Sequence, residues 1–278
     1  MLCLDEITPE ERELIIQLRE RVRNELPAPE LSKSEEDQDL FLVRWIRARD
    51  NNLDKATAML RNSLNWRKVH NADKVLETER HPFYAMNYKY SFPGLDKFGR
   101  PVAILPMNEW DARKIGTDPE LLKEYDVFCT RFFEEMMDNI QKAHVNRGNG
   151  HPPITQIFII SDVKNYPYGQ LLNFSAVKKL LQGAGTYEAH YPEILFKVIY
   201  INCPSYFGMF LNLLKPIVAT KTLGKFYCYP SMEEWKKDMV DMVDPAILPE
   251  RYGGTADVNS ENGKGDDINT ILKKPVAS

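Results

Sequence analysis

Histidine and cysteine offer the widest choice of chemistry in this sequence, but their spacing leaves little of it open. The five histidines are His70, His81, His144, His151 and His190, and the four cysteines are Cys3, Cys129, Cys203 and Cys228. No two histidines have the His-Glu-x-x-His spacing, and no two cysteines are close enough in sequence for a zinc knuckle. The cysteines lie far apart and mostly among apolar residues, which is typical of reduced thiols rather than a disulfide framework. We therefore expect no metal site.

The remaining polar motifs do not predict a catalytic centre. The sequence has no Gly-x-Ser-x-Gly nucleophile elbow and no Walker A loop. Gly183 and Gly185 lie at the end of a predicted helix rather than directly after a strand, which makes them a weak dinucleotide loop. Glu134 and Glu135 are adjacent on a predicted helix and point in different directions, so we interpret them as solvated charges. These features argue against an enzyme and favour a binding protein with no cofactor.

The composition is that of a soluble globular protein. Of 278 residues, 43% are hydrophobic and 27% are charged, which is enough apolar material for a sizeable core. The net charge of -4 argues against a general nucleic-acid binder, because neutralising phosphates needs a basic excess. We find no secretory signal, no lipidation motif and no apolar run of about 18 residues. The prediction is a cytoplasmic protein.

Residues 1–75 are predicted to form a helical module. Thr8 and Glu11 have the spacing of a capping box, with a proline at the first helical position. Apolar residues at intervals of three and four predict helices over 8–24, 37–49 and 53–69.

Residues 76–256 are predicted to form an α/β domain. Asp118 is the expected cap of a long helix, and a shorter helix is expected over 174–181. The predicted strands are 101–105, 157–160, 198–201 and 226–229. Their alternation with helices predicts a mainly parallel sheet. The residues that follow, 257–278, are polar and predicted to be a loosely ordered tail.

The segment from Phe207 to Val218 has a nearly all-apolar helical sequence, in which Asn212 and Lys215 are the strongly polar residues. A surface helix would instead have a polar face. The segment is too short to span a bilayer, which takes about 20 residues. It is either a buried core helix or a lid over an apolar ligand.

Several short motifs follow one another along the chain. They are DLFLVRWIRAR (39–49), LDKA (53–56), LNWRK (64–68), DKFGRPV (96–102), YPE (191–193), INCP (201–204), KP (215–216) and LPERYGG (248–254). In this order, the motifs are similar to those of the CRAL-TRIO lipid-binding proteins, a family that includes the retinaldehyde-binding protein, the α-tocopherol transfer protein and the yeast-type phosphatidylinositol/phosphatidylcholine transfer proteins. Together they cover roughly residues 35–255 and identify the chain as a member.

The resemblance implies a sheet that floors a large apolar cavity and a mobile gate helix that closes it. The expected gate residues are Phe207, Met209, Phe210, Leu211, Leu213, Leu214, Ile217 and Val218. The expected ligand-contacting apolar residues are Phe128, Phe132, Met136, Ile160 and Tyr200. The residues of the long helix among them fit ordinary core packing equally well.

The resemblance also points to residues that would bind a lipid headgroup. Glu193 and Lys225 fall where the phosphatidylinositol-transferring members contact the inositol phosphate, and Lys221 falls in a basic surface patch of the tocopherol carrier. The alternative is that Glu193 and Lys225 pair with each other as part of the scaffold.

The expected function is non-enzymatic transfer of one hydrophobic molecule, either a phospholipid such as phosphatidylinositol or an isoprenoid such as a retinoid or tocopherol (vitamin E). The gate would open on transient contact with a membrane. The alternative is a lipid-sensing regulator that docks on a protein partner. Larger relatives add a β-rich domain, which we do not expect here, and we expect a monomer.

Overall fold

The computed structural model describes residues 7–148 and 150–256. Cys3 and the predicted tail at 257–278 lie outside the described residues.

The amino-terminal part is helical, as predicted. Its helices are α1 (Pro9–Val22), α2 (Ala28–Leu31), α3 (Glu35–Arg47) and α4 (Leu53–Val69). The capping box is present at the start of α1. The backbone N–H of Glu11 donates to the Thr8 hydroxyl at 3.2 Å, and the Thr8 N–H donates to the Glu11 carboxylate at 2.9 Å. These two bonds satisfy donors that a helix start otherwise leaves free.

These helices bury their apolar faces in a cluster of their own. It includes Leu18 from α1, Leu42 and Ile46 from α3, and Leu60 from α4, all fully buried. The spacing of three and four residues places such side chains on one side of each helix, so the helices meet along these sides.

The rest of the chain contains the sheet and the helices that cover it. The helices are α5 (Pro82–Asn87), α6 (Ala112–Thr117), α7 (Pro119–Asn146), α8 (Phe174–His190), α9 (Phe207–Leu214), α10 (Thr220–Leu223) and α11 (Met232–Met242). The strands are β1 (Ser91–Leu95), β2 (Pro101–Leu105), β3 (Ile157–Asp162), β4 (Leu195–Ile201) and β5 (Phe226–Tyr229). Short 3-10 helices lie at Ala72–Glu77, Met107–Glu109, Tyr168–Leu172, Pro245–Ile247 and Glu250–Tyr252.

The five strands lie in sequence order in one sheet, β1-β2-β3-β4-β5. β1 is antiparallel to β2, and the other neighbours are parallel, which confirms the predicted mixed, mainly parallel sheet. Right-handed crossovers between strands in sequential order place the connecting helices on the same face of a sheet. Accordingly, residues of α7 and α9 join one buried cluster, whereas α11 covers the opposite face.

The elements that were not predicted include β1 and α11. β1 contains Pro93 and Gly94, which both weaken a strand signal, and it is an edge strand with an irregular register. α11 buries only Trp235 and Met239, so its apolar side is narrow. In addition, α8 continues to His190 beyond its predicted end, through Gly183, which packs against the Cys129 side chain of α7.

Candidate functional site

The predicted gate helix corresponds to α9, which has two different faces. Phe207, Phe210 and Leu214 are buried against the sheet and α7. Met209 and Leu213 face outward and are 49% and 41% exposed. The helix is therefore neither wholly core nor an ordinary surface helix, because both of its sides are apolar.

The helix ends at Leu214, directly before Lys215 and Pro216, the pair expected to end or kink it. The residues that follow include Pro216, which has no N–H to continue a helix. Ile217 and Val218 consequently lie in a turn after the helix. The Val218 side chain is still buried in the same cluster as Phe210, and Leu211 and Ile217 pack against that cluster while partly exposed.

Four of the five apolar residues expected to contact a ligand share this buried cluster. Phe128, Phe132 and Met136 come from α7, and Tyr200 comes from β4, where its ring centroid lies 5.1 Å from that of Phe207. Ile160 is the exception. Because side chains alternate along a strand, Ile160 of β3 faces α11 instead, in the cluster of Trp235.

Aromatic residues that the sequence reasoning missed surround Phe128 and Phe132. The ring centroid of Tyr84 lies 5.0 Å from that of Phe128, and the centroid of Tyr90 lies 4.7 Å from that of Phe132. Tyr88 is 1% exposed, and its hydroxyl has no hydrogen-bond partner within the described ranges. Burial raises the pKa of Tyr88, so its hydroxyl stays protonated. The run of tyrosines just before β1 was the available signal for this cluster.

Glu193, Lys221 and Lys225 are brought together at one end of β4. Glu193 has a left-handed backbone (φ 61°) and lies in the turn before this strand. Its carboxylate is 2.6 Å from the Lys221 Nζ and 3.5 Å from the Lys225 Nζ. Burial would raise the pKa of Glu193, but the two ammonium groups outweigh burial and lower it. Glu193 and Lys225 therefore form the pair that was the alternative to headgroup binding.

A cleft beside Glu193 brings in two arginines of α3 that were not predicted as site residues. Its lining residues are Leu40, Val43, Arg44, Arg47, Thr155, Gln156 and Glu193. Arg47 is held by Glu11, with its Nε 2.6 Å from the carboxylate. Arg44 Nη1 lies 3.3 Å from the Met137 sulfur, and Arg44 Nε has no hydrogen-bond partner among the residues described. The signal in the sequence was a pair of arginines three residues apart on an apolar helix.

Desolvation shapes the charge of this cleft. Burial lowers the pKa of Arg44 to about 10, so the guanidinium is still cationic at neutral pH. A buried cation whose donors are incompletely used is costly unless an anion or acceptor joins it. The cleft can therefore accept an anionic oxygen.

Lys221 also connects the cleft to the amino-terminal helices. Its ammonium donates to the backbone carbonyl of Arg47, in addition to pairing with Glu193. Lys221, which was predicted to belong to a basic surface patch, thus links α10 to α3.

The interpretation of Glu134 and Glu135 as solvated charges was wrong. The Glu134 side chain is 12% exposed and forms two hydrogen bonds with Arg67, at 2.8 and 3.0 Å. It also accepts a hydrogen bond from the Tyr191 hydroxyl at 2.7 Å. Glu135 lies 2.6 Å from the Arg80 guanidinium. Both carboxylates act as tertiary ion-pair partners for segments that precede the sheet.

An exposed aromatic side chain lies beside the start of α9, and two exposed apolar residues follow it along the chain. Tyr168, in the 3-10 helix before α8, has its ring centroid 5.3 Å from that of Tyr206, the residue before α9. Leu172 and Phe174, which follow Tyr168 along the chain, are 68% and 81% exposed. The contact between Tyr168 and Tyr206 was not predicted, because the two residues belong to segments that are distant in sequence.

Two negative observations apply to residues 7–148 and 150–256. No helix there combines the length and hydropathy needed to cross a bilayer. The same residues contain no group of three or more His, Cys, Asp or Glu side chains placed to hold a metal ion.

Comparison with known proteins agrees with this architecture. The family model described as CRAL/TRIO domain matches residues 85–254. Patellin-4 of Arabidopsis thaliana is 27% identical over 248 residues, covering 89% of this chain and 43% of the relative. Protein real-time of Anopheles gambiae is 29% identical over 268 residues, covering 92% of this chain and 36% of the relative. The chain spans less than half the length of these relatives.

A solved structure shows the same fold. The crystal structure of Sfh5 aligns with a TM-score of 0.69 at 16% identity, and the alignment covers 93% of both chains. The family model covers more than half of the chain, from α5 to the last 3-10 helix. The chain therefore belongs to the CRAL/TRIO domain family, whose members generally bind or transfer lipids.

Proposed function

We propose that this protein is a cytoplasmic, monomeric, non-enzymatic carrier that holds one lipid in an apolar cavity between the sheet and α9 and transfers it between membranes. The observation that carries the proposal is the two-sided character of α9. Its inner side chains pack on the sheet, and its outer side chains, Met209 and Leu213, are apolar and exposed. A helix with this composition can cover a lipid on one side and contact a bilayer with the other.

Opening of α9 is expected to depend on a membrane. Phe207, Phe210 and Leu214 would lose their buried contacts if α9 moved away in water. Burial of each such side chain stabilises the closed form by about 1.5 to 3 kcal/mol. A bilayer would cover the exposed side chains and shift the population toward the open form. Exchange of the lipid would then be coupled to membrane contact.

The cleft lined by Arg44 and Glu193 is our candidate for the headgroup site of a phospholipid. A phosphate oxygen there would meet a buried guanidinium and could share Lys225, which now pairs with Glu193 at 3.5 Å. The Tyr88 hydroxyl, buried among aromatic rings, could instead donate to the oxygen of a neutral isoprenoid. The cleft favours the phospholipid, because an uncharged ligand would leave Arg44 without an anion.

A lipid-sensing regulator is the second candidate function. Lys221 contacts both Glu193 and the Arg47 carbonyl, so a ligand that displaced it would disturb a contact with α3. The buried clusters of 15–64 and of the α/β part are separate, which supports our proposed division into a module at 1–75 and a domain at 76–256. Lipid-dependent proteolysis between these parts, without vesicle transfer, would favour the regulator.

The experiment that tests the carrier is mass spectrometry of an organic extract of the purified chain, followed by transfer between vesicles. We expect one lipid per chain, and transfer of that lipid from labelled donor to unlabelled acceptor vesicles. A well-folded sample that yields no lipid and takes none from vesicles of phosphatidylcholine and phosphatidylinositol would contradict the proposal.

A further inference from the structure

Two cysteines distant in sequence meet at the ends of β4 and β5. In the parallel register, Cys228 of β5 lies opposite Tyr200 of β4. Cys203, just after β4, donates its backbone N–H to the Tyr229 carbonyl at 3.0 Å. The Cys203 thiol lies 3.3 Å from the Tyr200 carbonyl oxygen, which belongs to the residue opposite Cys228. The bond to Tyr229 holds the Cys203 backbone beside the residue that follows Cys228.

The two cysteines lie on neighbouring segments at this end of the sheet, and the exposure of their side chains differs. Cys228 is exposed, whereas Cys203 is partly buried. The interaction between the two thiols lowers the pKa of Cys228 and, together with burial, raises the pKa of Cys203. Cys203 has one S–H proton, which can turn from the Tyr200 carbonyl to the Cys228 sulfur when that sulfur is a thiolate. The pair therefore has an accessible nucleophile and a neighbouring thiol that stabilises it.

We propose that Cys203 and Cys228 are a redox-active dithiol, which a small-molecule disulfide such as oxidised glutathione converts reversibly into an intramolecular disulfide. Formation of this disulfide does not require the protein to carry a lipid. Cys228 lies in β5, and the segment after β4 that carries Cys203 is hydrogen-bonded to the same strand through Tyr229.

The reaction proceeds by two thiol–disulfide exchanges. The Cys228 thiolate attacks one sulfur of oxidised glutathione, forms a mixed disulfide and releases one glutathione thiolate. That thiolate takes the proton of Cys203, whose sulfur then attacks the Cys228 sulfur and releases the second glutathione as a thiolate that water protonates. In total, two protein thiols are oxidised to one disulfide, and one glutathione disulfide is reduced to two glutathione thiols.

The disulfide would join the two ends of the segment that contains α9. Cys203 lies shortly before Phe207, and Cys228 lies in the strand that follows α10. Tyr200 packs on Phe207 at 5.1 Å between ring centroids, and the Cys203 thiol contacts the Tyr200 carbonyl, so Cys203 is linked through Tyr200 to the first turn of α9. A bond at this point would restrict movement of the amino-terminal end of α9. This effect rests on the proposed function, whereas the disulfide does not.

The test uses the full chain with Cys3→Ser, so that Cys129, Cys203 and Cys228 are the remaining thiols. The protein is equilibrated in mixtures of reduced and oxidised glutathione, acid-quenched, alkylated and analysed by peptide mass spectrometry. We expect a cross-linked pair of peptides containing Cys203 and Cys228, lighter by two hydrogens and reversed by excess reduced glutathione. Cys129 is the internal control: it is buried, burial raises its pKa to about 12, and it should be alkylated as a free thiol only after denaturation.

Single variants separate the roles of the two sulfurs. In Cys203→Ser, glutathione should accumulate on Cys228. In Cys228→Ser, Cys203 should react at least about tenfold more slowly, because it is less accessible and less acidic. Two results would overturn the proposal: both thiols staying free in the unsubstituted pair under excess oxidised glutathione, or equal reaction rates of the two single variants.

Vesicle transfer by reduced and oxidised protein tests the effect on α9. We expect several-fold slower transfer after oxidation, restored by reductant and not seen in Cys203→Ser. An unchanged rate would overturn the restriction of α9. If the reduced protein transfers no lipid at all, the proposed function fails, and the peptide mapping still decides whether the dithiol exists.

Discussion

The two faces of the sheet are both apolar, but they are packed differently. On the face toward α11, Ile160, Ile199 and Trp235 are all 0% exposed. On the face toward α7 and α9, Phe132 is 8% exposed and Tyr200 is 9% exposed. The second face is richer in aromatic side chains and is covered in part by α9, a short helix with an apolar outer side. The comparison assigns stability to the first face and the proposed ligand exchange to the second.

The largest expected effect is on the face that α11 covers. Trp235→Ala removes a fully buried ring and the hydrogen bond from its Nε1 to Asn202 at 3.2 Å. We expect the free energy of unfolding to fall by about 3 to 5 kcal/mol, measured by denaturant titration. Met232→Ala on the same helix is the control, because Met232 is 49% exposed and should matter by less than about 0.5 kcal/mol. If fully folded Trp235→Ala protein lost lipid transfer, the α11 face would also contribute to ligand exchange, and the proposed difference between the two faces would be wrong.

The outer side of α9 should affect membrane contact without affecting stability. Met209→Glu with Leu213→Glu should change the free energy of unfolding by less than about 1 kcal/mol, because both residues are exposed. Binding to vesicles should weaken about tenfold or more, since each apolar side chain contributes about 1.5 to 3 kcal/mol when covered. Cosedimentation with liposomes measures this loss. Val240→Glu, at an exposed position on α11, is the matched control, and an equal loss there would contradict a role for α9.

Replacing Arg44 should have opposite effects on stability and on ligand binding. Replacing its partly buried guanidinium, whose buried Nε has no hydrogen-bond partner among the described residues, in Arg44→Met should raise the free energy of unfolding of ligand-free protein by about 1 kcal/mol. The same change should reduce the binding of an anionic phospholipid in a vesicle assay. Arg49→Met is the control, because Arg49 does not line the cleft. Unchanged phospholipid binding by Arg44→Met would remove this cleft as the headgroup site.

The smallest expected effect is a pH dependence at Glu193. Its pKa is lowered from 4.5 in the folded state, so its ion pairs stabilise the fold fully above the unfolded value. That contribution is lost as the pH falls through the lowered pKa. Wild-type protein and Glu193→Gln should therefore differ in unfolding free energy at pH 6 and converge in more acidic buffer. A difference that grows on acidification would mean that the carboxyl is not stabilised by Lys221 and Lys225.

Local signals in the sequence were enough to predict most elements of the fold. The strands β2 and β5 and the helix α4 have the predicted bounds, and α7 begins directly after its predicted cap, Asp118. These elements have strong caps or compact apolar runs. The bounds of α8 were less accurate, because glycines inside a helix resemble a helix end.

What could not be predicted depends on contacts between distant segments. Ile160 lies in a strand buried on both faces, and such a strand has no polar alternation to show which side chains face which layer. The incomplete bonding of Arg44 and the contact between Cys203 and Cys228 depend on how separate elements pack. Nothing in the local sequence distinguishes these side chains from solvated arginines or isolated thiols.

The sequential order of the strands has a consequence for synthesis of the protein on the ribosome. Each strand from β2 to β5 pairs with its predecessor in the chain, so the sheet can grow by one edge as the polypeptide emerges. Translation at about 5 to 20 residues per second leaves time for each addition. The last helix, α11, arrives only after β5, so one face of the nascent sheet stays uncovered until the carboxyl-terminal part appears. Chains truncated before Trp235 would expose that face and be targets for chaperones and proteases.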